Sequence, residues 1–449
     1  MAVPHKTDER KTMALARRIT VKGIAGCLAL AALAVATPSW AQLGGLPGPG
    51  LPTLPSALMD RLPRVGDDLI DRTLDRALQA PARLDALIRR SRGALQADPL
   101  GWPVAAGEII AIDLSSDARA RALAAGYSVL REEPLEALGL SATVLSPPRR
   151  TSLTRAVNRL RRIAPDTDIA FNHVHVPASM EGPGATGGLA AAGPQATNAR
   201  LGLIDTGIDV AHPAFTGSGV TQRGFAGPAR VGAHGTAVAS LMIGRSGAFV
   251  GGSPGADIMV ADIYGGQAAG GASTGLAQAL AWMVEQRATV VNVSLVGPRN
   301  ALVERAVAGA KARGVILVAA VGNDGPAAPP LYPASYEDVV GVTAVTARDR
   351  ALPEAARGPQ VDFAAPGADM AAAGSAGSWT TVRGSSFAAP IVAGLLAREG
   401  GGVRAVSALA EAATDLGDRG RDPVYGAGLV GARSRVAPDA MGARGRLSR

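Results

Sequence analysis

From Leu201 onward the chain sets short, almost unbroken apolar runs between segments of helical period: "LGLID", "DIMVADIY", "VVNVSLV", "VILVAAVGN", "VVGVTAV" and "VDFAAPG". A strand with one wet face alternates apolar and polar residues, whereas a strand apolar throughout is buried on both faces. Such strands belong to parallel sheets covered by helices. Residues 200–435 are therefore predicted to form an α/β domain with a doubly wound, mostly parallel sheet, followed by a tail at 436–449. Sheets of this kind present their chemistry beyond the carboxyl ends of the strands, and the residues to examine are those where the apolar runs stop.

Three of them carry chemistry. "LGLIDTGID" places Asp205 at the end of a run. "AHGTAVASLMIG" places His234 at the start of an apolar helix, and "RGSSFAAPIVAG" places Ser386 at the start of another. The glycine–serine–serine step at 384–386 reads as a tight turn opening a helix, with Pro390 expected in its first turn, where a missing N–H costs little. Singly, Asp205 could be a turn residue, His234 a buried histidine and Ser386 a helix cap. Together they supply an orienting acid, a base and a nucleophile in the chain order Asp, His, Ser, one of the known orders for such a triad.

"IDTGID", "HGTAVAS" and "GSSFAAP" resemble the three catalytic boxes of the subtilisin-like serine proteases, the subtilases. "NVSLVGP", "AAVGNDGP", "YPASYEDVVGVTAV", "VDFAAPG" and "YGAGLV" resemble the family's intervening segments in order, over about residues 200–432. The resemblance implies Ser386 as nucleophile, His234 as general base and Asp205 as its orienting partner. It implies an oxyanion hole made by Asn323 with the helix start at Ser386. It also implies substrate lying along Ser294, Leu295, Val296 and Gly297, with Ala319, Ala320 and Val321 lining a pocket for the residue before the cut. The chain departs from the common pattern at Ala233, Ala237 and Val296. The short loop "GRSGAFVGGSPGADI" is poor in oxygen ligands, so neither a metal nor any other cofactor is expected.

Upstream, residues 1–41 carry six Lys/Arg and two acids ahead of "GIAGCLALAALAVATPSWAQ" and read as a secretory signal cleaved after Ala41. This implies a secreted or periplasmic protein with no membrane span once the signal is removed. That leader holds half of the net charge of +8. The remaining arginines are interspersed with acids, which argues against a nucleic-acid footprint. The only cysteine, Cys27, also lies in the leader, so a disulfide scaffold and a cysteine nucleophile are excluded.

Residues 42–103 read as a Gly/Pro-rich linker and an amphipathic helical extension. Residues 104–178 read as a small α+β sandwich of ferredoxin-like type, with strands at "GEIIAIDL", "ATVLSPP" and "TDIAFNHVHVP". This stretch resembles the inhibitory prodomain of the same family, and 179–199 reads as an exposed connector. His173 and His175 share one strand face, an H-x-H pattern that is more often structural than metal-binding; if this stretch is an inhibitory prodomain, their protonation would loosen it. His212 is expected to be a packing residue. The reading is a monomeric zymogen acting on protein or peptide substrates, with its own prodomain as inhibitor and with maturation within 176–200.

Three other readings fit the residues less well. Gly182, Gly184 and Gly187 mimic a dinucleotide fingerprint, but Gly193 and Pro194 break the helix that fingerprint needs. A silent scaffold of the same fold is opposed by the intact Asp205, His234, Ser386 and Asn323. A transpeptidase would need an insertion shielding the acyl-enzyme, and none is visible.

Overall fold

The computed structural model describes residues 81–178, 180–181, 185–186 and 199–443. The expected leader, most of the extension, most of the connector and residues 444–449 lie outside the described residues.

After a helix over 81–90, the N-terminal module builds one antiparallel sheet. Its strands are β1 (Leu95–Ala97), β2 (Pro103–Ile112), β3 (Ser128–Leu135), β4 (Leu140–Ser146) and β5 (Asp168–His173), with helices α1 (Ser116–Ala124) and α2 (Leu153–Ile163). β5, β2, β4 and β3 lie side by side in that order, and β1 runs along the start of β2. Ser115 caps α1 by accepting the Ala118 N–H at 3.3 Å. Leu153, Ala156, Val157 and Leu160 recur at helical spacing and bury one face of α2.

β2 shows what this sheet is for. Ile109 and Ala111 pack under α2, while Ile110 and Ile112 point the other way, as strand alternation requires. That second face lies against helices α4 (Ser273–Glu285) and α5 (Ala301–Lys311) of the larger domain. Arg305 pairs with Asp113 at 2.5 Å across this seam, and Asn172 donates to Thr274 at 3.3 Å.

Three expectations need correction here. The extension does not run to 103, because β1 at Leu95–Ala97 already belongs to the sheet. β3 is a strand that the charged run "SVLREEPL" concealed. Its charges are satisfied locally: Arg131 makes ion pairs to Glu108 of β2 at 2.7 Å and to Glu133 at 2.6 Å, and Glu132 pairs with Arg119. Finally, "TDIAFNHVHVP" is not one strand. β5 ends at His173, where the Val174 N–H still bonds Pro103 at 2.8 Å but the His175 N–H bonds Gly271 at 2.8 Å. The backbone there passes from one sheet's hydrogen bonds to another's, and β6 (Val176–Pro177) pairs within the larger domain.

The larger domain holds β7 (Met180–Glu181), β8 (Ala185–Thr186), β9 (Leu201–Asp205), β10 (Val220–Gly224), helix α3 (Ala233–Ile243) and the short strands β11 (Arg245–Ser246) and β12 (Phe249–Val250). They are followed by β13 (Ile258–Asp262), β14 (Val290–Val293), β15 (Leu295–Val296), β16 (Ile316–Ala320), β17 (Val339–Val345) and β18 (Phe363–Pro366). β19 (Ala368–Ala373), β20 (Ser378–Arg383), α6 (Ser385–Arg398) and α7 (Gly402–Glu411) complete it. A seven-stranded parallel sheet runs β10-β13-β9-β14-β16-β17-β18. From β9 the chain passes to the edge strand β10 and returns to β13 beside β9, then crosses to β14 and builds outward on the other side. Asp205 ends the strand at that reversal, where open α/β sheets form their crevice.

α6 is buried along almost its whole length, which explains why "SSFAAPIVAGLLA" has no polar face. Pro390 is not in its first turn, as the sequence reading expected, but is the sixth helical residue. A proline there leaves the carbonyl four residues back, that of Ser386, without its helical donor. The Ser294 hydroxyl supplies one at 2.9 Å. Ser294→Ala would leave that buried carbonyl unpaired, at a cost of about 1–3 kcal/mol. The expected result is a Tm lower by several degrees in calorimetry, on the scale of ~2–4 °C per kcal/mol for a domain of this size. An unchanged Tm would show that the carbonyl needs no such partner.

Candidate active site

The site assembles at the carboxyl end of the sheet. Asp205 is wholly buried at the end of β9. Its carboxylate accepts the Thr206 N–H at 2.7 Å, and both of its oxygens lie 2.9 Å from His234 Nδ1. The second residue of α3 is His234. This helix can approach so closely because Gly232 and Gly235 have no side chains: a Cβ on Gly235 would stand 2.5 Å from the Thr206 carbonyl. The imidazole packs on Phe387, with ring centroids 5.4 Å apart, which sets it beside the start of α6.

Ser386 is the second residue of α6, entered through Gly384 at φ 134°, a region closed to most side chains. Its hydroxyl donates to the Ser294 carbonyl at 3.2 Å. The first N–H groups of α6 have no helical acceptors and, with the helix dipole, favour negative charge at this end. One of them, that of Ser385, is bound by Asn323 Oδ1 at 3.0 Å. This bond fixes the Asn323 amide so that its Nδ2 faces outward, where it donates to the carbonyl of Ala178.

Ala178 belongs to the chain's own upstream segment, which threads the crevice. β6 pairs antiparallel with β15, matching Val176 to Val296 and Pro177 to Leu295. The Ala178 N–H reaches the Ser294 carbonyl at 3.3 Å, and Val174 bridges Ala272 on the opposite side. The segment is thus a middle strand between the edges 270–272 and 294–297. Beyond residue 178 the chain continues as β7 and β8, both antiparallel to β20, with Met180 opposite Arg383.

Ser294, Leu295 and Val296 flank the threaded strand, and Gly297 faces His175. Ala319, Ala320 and Val321 are fully buried, with Ala320 on one side of the sheet and Ala319 and Val321 on the other. They lead β16 into Gly322 and Asn323. His212 packs edge-on against Trp379 at 5.0 Å and bonds the Ser378 carbonyl at 2.8 Å.

Four features of the site escaped the sequence reading. The second edge at Gly270–Ala272 was not identified. Neither was the role of Ser294 in supporting the Ser386 carbonyl, nor Ala178 as the residue held by Asn323. The fourth is a two-pronged pair from Arg383 to the buried Glu354, at 2.6 and 3.0 Å. The Glu354 carbonyl accepts the Gly325 N–H at 2.8 Å, so this pair ties the Asn323 loop to the strand leading into Ser386. "HVPA" ahead of a Gly/Ala-rich connector was the available signal for Ala178; Glu354 carried none. Among the described residues, no group of three or more His, Cys, Asp or Glu side chains stands together to hold a metal ion.

The chain matches the profile of the subtilase family over residues 196–428. It is 29% identical to thermitase of Thermoactinomyces vulgaris over 253 residues, covering 54% of this chain and 88% of that protein. It is 30% identical to subtilisin Savinase of Lederbergia lenta over 253 residues, covering 52% of this chain and 89% of the relative. Among solved structures, fervidolysin of Fervidobacterium pennivorans, a keratinolytic enzyme related to subtilisin, superposes with a TM-score of 0.60 at 19% identity. That match covers 73% of this chain and 60% of fervidolysin, and with it the fold is shared.

Proposed function

Because the chain belongs to the subtilase family of serine endopeptidases, we propose that it is made as a secreted zymogen that cuts itself after Ala178 and then hydrolyses other polypeptides. The observation that supports this most directly is the Ala178 carbonyl on the Asn323 amide, with its strand paired into the crevice. A peptide substrate adds itself to sheet edges in this way. In this reading Ser386 Oγ attacks the Ala178 carbonyl carbon, and His234 accepts the hydroxyl proton at Nε2. The carbonyl oxygen becomes an oxyanion held by Asn323 Nδ2 and the start of α6. The tetrahedral species collapses by expelling the amine of residue 179, which takes the proton from His234. Water then releases residue 178 from Ser386 by the same steps in reverse roles.

Residues 95–173 are the prodomain, docked on α4 and α5, and 174–178 are its inhibitory strand. Leu295, Val296 and Gly297 align the incoming backbone, while Ala320, on the sheet side that also carries Ala178, forms the floor under the side chain before the cut. No cofactor is required by these steps. Export rests on the leader alone. Among the described residues, no helix is long and apolar enough to cross a membrane.

The test is a fluorophosphonate probe with peptide mapping. Covalent label on Ser386 together with a new N-terminus at residue 179 is the expected outcome. No label from pH 5 to 9 would instead make the chain a silent scaffold. Asn323→Ala should lower kcat by about 10²–10³ with little change in KM, because its amide strengthens its bond as the oxyanion forms. A matching rise in KM would assign it to ground-state binding.

A further inference from the structure

We propose that Asp262 is a positioning residue for the hydrolysis: its buried carboxylate holds the loop that delivers His234 and sets a second negative charge beside Asp205 to steady the imidazolium. This inference rests on the protease reading above. Asp262 ends β13 as Asp205 ends β9, and the two residues are paired in register. Register partners in neighbouring strands point to one face of the sheet. Leu203 and Val260, two residues earlier, pack in the core that holds α3 and α6, so both carboxylates stand on that side. Asp262 is 1% exposed. Its Oδ2 accepts the Arg230 N–H at 2.8 Å, and its Oδ1 accepts the N–H groups of Tyr264 at 2.8 Å and Gly265 at 2.9 Å. All three partners are backbone donors, and among the described residues no side-chain cation joins them. A buried carboxylate held by neutral donors keeps its field, where an ion pair would cancel it.

These bonds bear on His234 in two ways. The first is mechanical. The Asp262 carbonyl accepts the Phe225 N–H at 2.8 Å, so one residue clips both ends of the loop 225–230. From Arg230 the chain runs straight to the base. Val231 bridges Gly207, the Gly232 N–H bonds the Gly207 carbonyl at 2.8 Å, and His234 follows two residues on. The second is electrostatic. An anion in a low-dielectric surround favours imidazolium over imidazole, and imidazolium is the form His234 takes while the tetrahedral species lasts. Both carboxylates are felt at Tyr264, whose hydroxyl pKa is raised well above its usual value by burial first and then by Asp205 and Asp262. The other groups around the imidazole add little net charge. α6 brings Ser386 and Phe387, and the Arg230 side chain is exposed to solvent. Asp209 is turned to the N–H groups of Ala211 and Gly377, while Arg383 and Glu354 neutralise each other.

The test is the pH profile of kcat/KM for the self-processed parent and for Asp262→Asn, whose acid limb reports the base of the free enzyme. The substrate is a quenched peptide with Val-Pro-Ala before the cut and no group that titrates across the profile. Removing the charge should lower the His234 pKa, so the acid limb should move down by about 0.5–1 pH unit at low salt. On the plateau kcat should fall about tenfold with KM within about twofold, because the carboxamide turns an NH₂ towards the Arg230 N–H and slackens the loop. Asp257→Asn is the control. Asp257 stands before the other end of β13, is exposed and accepts the Gly219 N–H at 2.6 Å. Its loss removes the same charge about 16 Å further along the strand and should leave the limb within about 0.2 pH unit. A limb that stays put in a folded Asp262→Asn enzyme, or that moves equally in Asp257→Asn, overturns the proposal and leaves Asp262 a turn residue. Asp262→Ser carries the same test should the Asn variant not fold. If neither yields an enzyme that a fluorophosphonate labels, Asp262 serves folding alone and the proposal is overturned as well. A parent that cuts nothing removes the protease reading, and this role with it.

Discussion

Ser386→Ala is expected to leave the precursor in one piece while the parent chain separates between Ala178 and residue 179. The threaded strand already holds its carbonyl on Asn323 and its flanking backbone on both crevice edges. The variant therefore loses the attacking oxygen and little else. The fall in kcat should be about 10⁶, the size found for the same loss in subtilisin, with residual activity from binding and the oxyanion site still ~10³–10⁴ above water. Because the strand and the crevice belong to one chain, parental cleavage should be first order, with a half-time unchanged on about hundredfold dilution. Intact-mass spectrometry of both proteins reads all of this. A variant that still cuts itself would remove Ser386 from the chemistry. Parental cleavage that slows on dilution would show that the strand is cut by another molecule.

Asp205→Asn should lower kcat by about 10⁴ with KM nearly unchanged. Both carboxylate oxygens accept from His234 Nδ1 at 2.9 Å, which keeps the proton on that nitrogen and leaves Nε2 to act as base. A carboxamide can turn its NH₂ towards Nδ1 instead, reversing the tautomer and placing a proton where the base is needed. The buried charge that steadies the imidazolium is lost as well. Steady-state kinetics with folding checked by circular dichroism measure the effect. A loss below tenfold in a folded variant would mean that His234 is oriented by something other than Asp205.

The larger domain was legible because its elements are written in local chemistry. Strands buried on both faces must be apolar throughout, and the residues that end them stand out as polar groups in small-residue turns. Asp205, His234 and Ser386 could be picked as candidates at element ends in this way, while Asn323 was marked by the family resemblance. The N-terminal module was legible in part. Its helices have caps and periodicity, but β3 carries Arg131, Glu132 and Glu133 on a single short strand. The ion pairs of Arg131 to Glu108 and Glu133, and of Glu132 to Arg119, reveal why such a strand is tolerated.

What the sequence determined by itself is therefore the run of elements in the larger domain and the candidates for its chemistry, since both depend on residue type and near neighbours. The tertiary structure decided the rest. Whether Pro390 costs a hydrogen bond depended on Ser294, 92 residues away along the chain. Whether His175 shares a strand with His173 depended on which sheet claimed its N–H. The placing of Ala178 on Asn323, 145 residues on, depended on how the module seats on α4 and α5. Each of these is a pairing between distant segments, settled by which backbone and side-chain groups can be satisfied together once water is excluded, and no local pattern records it.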